Sequence, residues 1–318
     1  MALATAVVLQ IAQVTLVVLL APLLVGIVRK TKARIVRRAG PPLLQPYRDL
    51  IRLLRKEAVV AENASWLFRA APYLIFAFTW AAALLIPTFV TGLPLERSAD
   101  LIAIVALLGS ARFILALAGL DIGTSFGGIG SSREVMMASV AEPAMLAIIF
   151  ALALMAGSTA LPQIAAFTQS SAVGLRVSLA LALLGLLMIA ITENGRIPID
   201  NPATHLELTM VHEAMVLEYS GRHLALIEAA QAVKLLAYVS LIASVFLPWQ
   251  ISAVGADLPS YGGAIGAFVI KVISGGVILG FFETSVAKMR VFRAPEFITA
   301  ALMLALLAIV LHLVSKSL

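Results

Sequence analysis

Eight apolar runs, each long enough to cross a bilayer, constrain this chain more than any other feature of its sequence. A transmembrane helix needs about 20 consecutive apolar residues, and 61% of the 318 residues are hydrophobic while 13% are charged. The pattern predicts an all-α integral membrane protein with about eight transmembrane helices, forming one domain over residues 1–318. The predicted spans are Ala4–Val28, Ala71–Val90, Leu101–Leu120, Glu134–Ala156, Val173–Thr192, Leu224–Phe246, Gly263–Phe282 and Glu296–Val314.

Basic residues are concentrated in every second connection between these spans. The connections at about 29–70, 121–133, 193–223 and 283–295 hold 17 of the 23 Lys and Arg, whereas the opposite side holds only Arg97 and Lys316. Because Lys and Arg accumulate on the cytoplasmic side of membranes, we expect these four connections to be cytoplasmic and both termini to face outward. This placement accounts for the net charge of +6 without a nucleic-acid partner. The 121–133 connection, DIGTSFGGIGSSR, is rich in Gly and Ser and is predicted to be a flexible loop.

The first cytoplasmic connection contains an amphipathic segment, QPYRDLIRLLRKE at 45–57. Its apolar residues recur at helical spacing between basic ones, which predicts a helix lying in the inner membrane interface. The helix is either an anchor that touches anionic lipid or part of a docking surface for a soluble partner. The candidate docking residues are Arg34, Arg37, Arg38, Arg48 and Asp49.

A long polar connection, ENGRIPIDNPATHLELTMVHEAMVLEYSG, occupies Glu193–Gly221. Asp200-Asn201-Pro202 suits a helix start and Ser220-Gly221 a helix stop, so Ala203–Tyr219 is predicted to form a short acidic helix. The segment is either a solvated loop or a chain of titratable groups that handles protons at the membrane edge. The five acids are Glu193, Asp200, Glu207, Glu213 and Glu218.

Two histidines of this segment, His205 and His212, would share one helix face. Seven residues separate them, so they lie roughly 10 Å apart along the helix, too far for one metal ion without ligands from elsewhere. The chain has no cysteine and therefore no thiolate ligand for an iron–sulfur cluster. We expect a structural or hydrogen-bonding role for the histidines and no metal or other cofactor in this chain.

Ionisable residues inside or beside the apolar spans form a second set of candidates. A charge in hydrocarbon costs at least a few kcal/mol unless it is paired or hydrated. Each could be an ion pair that ties helices together, but the whole set favours a hydrated, charge-lined passage that starts at the cytoplasmic face. The candidates are Glu134, Glu142, Glu228 and Glu283, with Arg112 and Lys234 as counter-charges.

Two blocks of the sequence resemble a known family. ENGRIPID, followed by an acidic segment and EYSG, is similar to the ENxRxPFD…EYSG pattern of subunit 1 of respiratory complex I, the subunit that forms the quinone chamber. GPPLLQPYRDLIRLLRKE at 40–57 resembles that family's segment after the first span. The sequence DNPATHLELTMVHEAMVLEYSG departs from the pattern, with Ala203 and His205 where glutamates are usual. It looks like the membrane subunit of group 4 energy-converting [NiFe]-hydrogenases and formate hydrogenlyase.

The resemblance implies a non-redox subunit of an oxidoreductase complex in a prokaryotic cytoplasmic (inner) membrane. Such a subunit catalyses no electron transfer itself. It anchors a peripheral arm of hydrogenase-like large and small subunits and iron–sulfur subunits, which carry a [NiFe] centre and iron–sulfur clusters. It also links that arm to antiporter-like membrane subunits that translocate protons or sodium ions. The main alternative is the quinone-chamber subunit of a quinone-reducing complex I. A second alternative is a free-standing secondary transporter, although no repeated half with a broken helix is visible.

Overall fold

The computed structural model describes residues 2–169, 177–196, 211–286 and 293–317. These residues form an all-α membrane protein, as predicted, with two-residue strands β1 (Val90–Thr91) and β2 (Ser252–Ala253) and a 3-10 turn at Pro94–Ser98. The helices are α1 (Ala2–Ile35), α2 (Gln45–Leu54), α3 (Trp66–Leu85), α4 (Leu101–Asp121), α5 (Ser125–Ala156), α6 (Leu161–Gln169), α7 (Val177–Glu193), α8 (His212–Val216), α9 (Gly221–Phe246), α10 (Leu258–Ser285) and α11 (Ala294–Ser317).

Seven of the described helices are long and apolar enough to cross a membrane: α1, α3, α4, α5, α9, α10 and α11. The apolar helix α7 is shorter, with 17 described residues, and the part of the predicted fifth span before Val177 lies outside the described residues. The eight predicted spans therefore correspond to seven full-length helices and one shorter helix.

The long helices form one bundle in which α9 is the most buried of the membrane-spanning candidates. It packs against α1, α2 and α3, while α4 lies between α3 and α5, and α11 lies against α5 and α7. On the side where α9 ends, β1 pairs in parallel with β2 and joins two connections that are far apart in sequence. Glu193 at the end of α7, Lys234 in the middle of α9 and Arg112 of α4 meet inside this bundle, which is where the candidate site forms.

Helix α5 begins earlier than predicted, so the flexible loop expected over 121–133 is wrong from Ser125 onward. Thr124 caps the helix by accepting a hydrogen bond from the Gly127 N–H at 3.2 Å. The glycines serve close packing: a Cβ at Gly127 would clash with the Gly119 carbonyl, and one at Gly130 would lie 2.8 Å from the Val211 carbonyl oxygen. Glycine here lets α4, α5 and the segment before α8 approach one another.

Helix α2 confirms the predicted amphipathic helix and ends three residues earlier than expected, at Leu54. Its Tyr47 hydroxyl donates to the carbonyl of Leu19 in α1. Pro22 lies in that same stretch of α1, and a proline inside a helix removes one N–H donor and opens the turn before it. Tyr47 therefore fixes α2 against a weakened turn of α1.

The EYSG block closes a contact between α9 and the chain that follows α2. Tyr219 stacks on Phe68 with ring centroids 4.0 Å apart and donates to the Phe68 carbonyl at 3.1 Å. The Ser220 hydroxyl accepts from the Val59 N–H at 2.8 Å and donates to the Val59 carbonyl at 3.0 Å. Gly221 has φ +52°, and a Cβ there would clash with the Glu57 carbonyl. The two blocks that carry the family resemblance therefore touch each other.

Candidate functional site

Arg112 of α4 is the centre of a network of charges, most of which are buried or nearly buried. Its side chain is 7% exposed. Nη1 donates to Oε1 of Glu193 at the end of α7, and Nη2 donates to Oε1 of Glu142 in α5 at 2.6 Å. Nε lies 3.9 Å from Oε1 of Glu134, also in α5. The planar guanidinium thus directs three separate nitrogens to three carboxylates, whereas an ammonium group has a single nitrogen.

A second cation, Lys234 of α9, completes the network. Its Nζ donates to Oε2 of Glu193 at 3.0 Å, so both oxygens of this buried carboxylate are bound by a cation. Two cations thereby face three carboxylates among the described groups. We refer to Arg112, Glu134, Glu142, Glu193 and Lys234 as the Arg112 network.

A cavity of about 300 Å³ lies beside the network. Arg112, Glu134, Glu193 and Lys234 line it, together with apolar side chains of α3, α4 and α9. Both described ends of the Glu193–Gly221 segment also line it, through residues 193–196 and 211–213. The cavity therefore brings the polar connection and four charged residues of the spans to one place.

His212 lies in the cavity wall and contacts the Gln231 amide of α9 through Nε2. Burial, and then the positive charge of Lys234, lower the pKa of His212 to about 4. The imidazole is therefore neutral near pH 7 and can accept a hydrogen bond from the amide. This agrees with the hydrogen-bonding role expected for it, while His205 lies outside the described residues. Within the described ranges, no three His, Asp or Glu side chains are grouped so as to hold a metal ion.

Glu283 belongs to a separate cluster at the end of α10. Its side chain is 5% exposed, accepts from Lys32 Nζ at 2.5 Å, and lies 3.3 Å from Nη1 of Arg196. Arg196 also lines the cavity, so this residue connects the two clusters. Glu283 therefore lies next to the predicted passage but not within the Arg112 network.

The remaining predicted acids are dispersed. Glu228 is exposed on α9, where the charges of Arg29, Asp49 and Arg52 act on it. Glu213 is exposed at the cavity wall, and Glu218 is exposed on the surface. Asp200 and Glu207 lie outside the described residues, as do residues 203–210 of the predicted helix Ala203–Tyr219. In the described part of that prediction, residues 211–219, the structure has a helix at His212–Val216.

The candidate docking residues divide into two groups. Arg34, Arg37, Arg38 and Arg48 are exposed. Asp49 instead holds the chain together, because it lies 3.9 Å from Arg29 and 3.4 Å from Arg52 and accepts from Gln45 at 3.0 Å. The arginines are therefore free to face a partner in a way that Asp49 is not.

Sequence reasoning missed three polar residues near the network: Arg196, Gln231 and Tyr238. Tyr238 is 3% exposed and lies close enough to Glu193 and Arg112 for their charges to act on it. Gln231, Lys234 and Tyr238 are three and four residues apart, which places them on one face of α9. That spacing was a readable signal, since a polar stripe along one face of an apolar helix points into the bundle.

Comparison with known proteins gives consistent results. The family model described as NADH dehydrogenase matches residues 7–313. Formate hydrogenlyase subunit 4 of Escherichia coli K12 is 34% identical over 294 residues, covering 91% of this chain and 93% of that protein. Hydrogenase-4 component C of the same organism is 35% identical, covering 76% of each. A chain in the structure of the membrane-bound sulfane sulfur reductase, an archaeal respiratory membrane complex, has a TM-score of 0.78 over 97% of this chain and 98% of its own length, at 20% identity. That last likeness concerns the fold alone.

Proposed function

This chain belongs to the NADH dehydrogenase family, and we propose that it couples a peripheral electron-transfer arm to the translocation of protons or sodium ions. The resemblance to the complex I subunit 1 family is confirmed, and so is the resemblance to the formate hydrogenlyase and hydrogenase-4 members of that family. The chain is a multi-pass inner-membrane subunit of a complex I-related respiratory complex. In this proposal it is a single transmembrane domain with both termini outside and its four basic connections in the cytoplasm.

The observation that carries the proposal is the charge of the Arg112 network. Glu134 and Glu193 are buried or nearly so beside Arg112, Lys234 and a cavity at the end of α7, and Glu142, whose side chain is 55% exposed, shares Arg112 with them. Carboxylates in a region of low dielectric constant stay charged only while cations compensate them, so any change in that compensation changes their affinity for a proton or a sodium ion. A site that can exist with and without one extra cation is what coupling requires.

The passage begins, in this reading, at the acids of the Glu193–Gly221 segment. Asp200, Glu207, Glu213 and Glu218 are the proposed titratable groups of this segment, and Glu193 joins the segment to the Arg112 network. Glu134 and Glu142 continue the passage into the membrane. Glu283 reaches it through Arg196, and Glu228 serves the α2 side instead, because α2 and the end of α1 supply the charges around it.

The docking floor for the arm lies around α2 and the end of α1. The exposed arginines there form a basic surface, which suits a partner with an acidic face. The partners proposed are hydrogenase-like large and small subunits, iron–sulfur subunits and antiporter-like membrane subunits, with the [NiFe] centre and iron–sulfur clusters in those partners. The names of the two E. coli relatives favour this assembly over a quinone-chamber subunit.

The test is Glu193→Gln in the intact complex, purified through a tag on this chain and reconstituted into vesicles. The variant removes the charge that Arg112 and Lys234 share, so we expect normal subunit content but at least a tenfold loss of ion uptake per electron transferred. Glu296→Gln is the matched control, because Glu296 is an exposed carboxylate at the start of α11 and is not a member of the network. Unimpaired uptake in Glu193→Gln would reject the coupling role. Uptake that requires added quinone would favour the quinone-chamber alternative.

A further inference from the structure

Glu142 is an exposed carboxylate inside a membrane span. Its side chain is 55% exposed, whereas those of Glu134 and Glu193 are 16% and 7% exposed. It lies eight residues beyond Glu134 in α5, about 12 Å further along the helix at 1.5 Å per residue. The predicted span begins at Glu134, so this carboxylate lies at the depth of hydrocarbon and on the outside of the chain.

That position is unfavourable in lipid. An acidic side chain at the centre of a membrane helix costs about 2.5–3.5 kcal/mol on insertion scales. Arg112 reaches Oε1 of Glu142 from inside the bundle, but this contact leaves more than half of the side chain uncovered. The positive charge available to Glu142 is also shared, because Arg112 contacts Glu134 and Glu193 as well, and Lys234 contacts Glu193.

The surface around Glu142 offers further acceptors for hydrogen bonds. Pro143 lies next to it inside α5, and because proline has no N–H, the carbonyl of Ser139 loses its usual helical donor. On the neighbouring helix α4, a Cβ at Gly109 would meet Glu142 Oε1 at 3.8 Å and no other neighbour. Small residues at this depth let a second helix approach closely. We call the exposed residues Val135, Ser139, Glu142, Pro143, Leu146 and Phe150 the Glu142 face.

We propose that the Glu142 face is covered by a transmembrane helix of a neighbouring subunit that presents a lysine or arginine side chain to Glu142. Two observations select a basic occupant: the face presents acceptors, and the contact that Arg112 makes with Glu142 is shared with Glu134 and Glu193 and leaves 55% of the Glu142 side chain exposed. Lipid tails can neither donate hydrogen bonds to these acceptors nor compensate the charge. The inference rests on the proposed function in one respect, that the chain works inside a multi-subunit membrane complex.

Photo-crosslinking in the intact complex tests the contact. A benzophenone amino acid is placed at Ser139 or at Leu146, and at Ile278 of α10 as a control that is 68% exposed in apolar surroundings. We expect Ser139 and Leu146 to crosslink to one partner subunit, within about two turns of a lysine or arginine in a transmembrane helix. Phospholipid adducts at both positions, as at a lipid-facing site, would overturn the proposal. So would a partner helix without a basic residue near the crosslink.

Charge exchange tests the chemistry. Glu142→Lys should reduce the yield of that partner in the purified complex at least fivefold, and reversing the partner's basic residue to glutamate should restore it. Glu142→Gln, which keeps the size of the side chain, should reduce the yield less. Equal partner content in Glu142→Lys, in the charge-exchanged pair and in Glu142→Gln would reject the ion pair. The crosslink is read without turnover, so it can hold when Glu193→Gln leaves ion uptake unimpaired, and it can fail when the coupling role of Glu193 stands.

Discussion

Replacing Arg112 with lysine separates the geometry of the network from its charge. Arg112 donates to Glu193 and Glu142 through different nitrogens and lies 3.9 Å from Glu134 through a third. Lysine keeps the positive charge but has one nitrogen, at the end of a flexible four-carbon stem. It can stay with Glu193 or move to Glu142, but it cannot hold both in the present arrangement. One hydrogen bond to a charged group is lost, together with the longer contact to Glu134.

The size of the effect follows from these contacts. A hydrogen bond to a charged group contributes about 1.5–3 kcal/mol, and the cavity lets water replace part of it, so we expect Arg112→Lys to lower stability by about 2 kcal/mol. Arg112→Gln should cost more, because a buried pair that loses one partner costs about 3–5 kcal/mol. The assay is thermal unfolding of the purified complex, with Lys316→Arg as a control at an exposed position. In a double-mutant cycle, Arg112→Lys and Glu142→Gln should be non-additive. Additive effects, or a Lys variant as stable as wild type, would refute the central position of Arg112.

Two further predictions concern pH and docking. The pKa of His212 is lowered from 6.5 to about 4, so the unfolded chain binds the proton first, and stability present above pH 6.5 should be lost as the pH falls toward 4, by about 3 kcal/mol in all. Between pH 7.5 and pH 5, thermal unfolding should show a smaller loss of stability in His212→Gln than in the wild type. Equal losses in the two proteins would contradict the assignment. Reversing Arg37 and Arg38 to glutamate should release the peripheral arm during purification while the amount of this chain in the membrane is unchanged, because both residues are exposed on the basic surface. Lys316→Glu, at the far end of α11, is the control, and an arm retained at high salt by the double variant would place the docking floor elsewhere.

Features set by local sequence could be predicted well. The spans follow from apolar length, and α2 follows from the spacing of Tyr47, Leu50 and their basic neighbours, so both were found, although α1 ends seven residues beyond its predicted span and α5 begins nine residues before its own. The start of α5 could not be found in this way. Gly127 and Gly130 have the composition of a flexible loop, but their role depends on Gly119 and Val211, which approach them only in the folded bundle.

For the same reason, the sequence could not predict which of the candidate residues meet in one network. Arg112, Glu193 and Lys234 come from helices separated by 81 and 41 positions, and no spacing rule connects such residues. Glu142 and Glu228 looked equivalent as single acids in apolar runs. The packing of α4 against α5 brings the first to Arg112, while the second lies on the side of α9 that faces α2.

Helix α9 is the element that the proposed docking surface and the Arg112 network share. It begins at Gly221, where the backbone lies against Glu57 and Ser220 binds Val59 just after α2. Thirteen residues further along, about 20 Å at 1.5 Å per residue, Lys234 holds Glu193. Packed helices respond to a push at one end by moving as units, because their interfaces do not deform continuously. A displacement of α2 by a docked arm would therefore reach Glu193 through α9, without passing through the other acids of the Glu193–Gly221 segment. This explains why one family signature can join EYSG, which binds the chain after α2, to ENGR, which begins with a carboxylate of the Arg112 network.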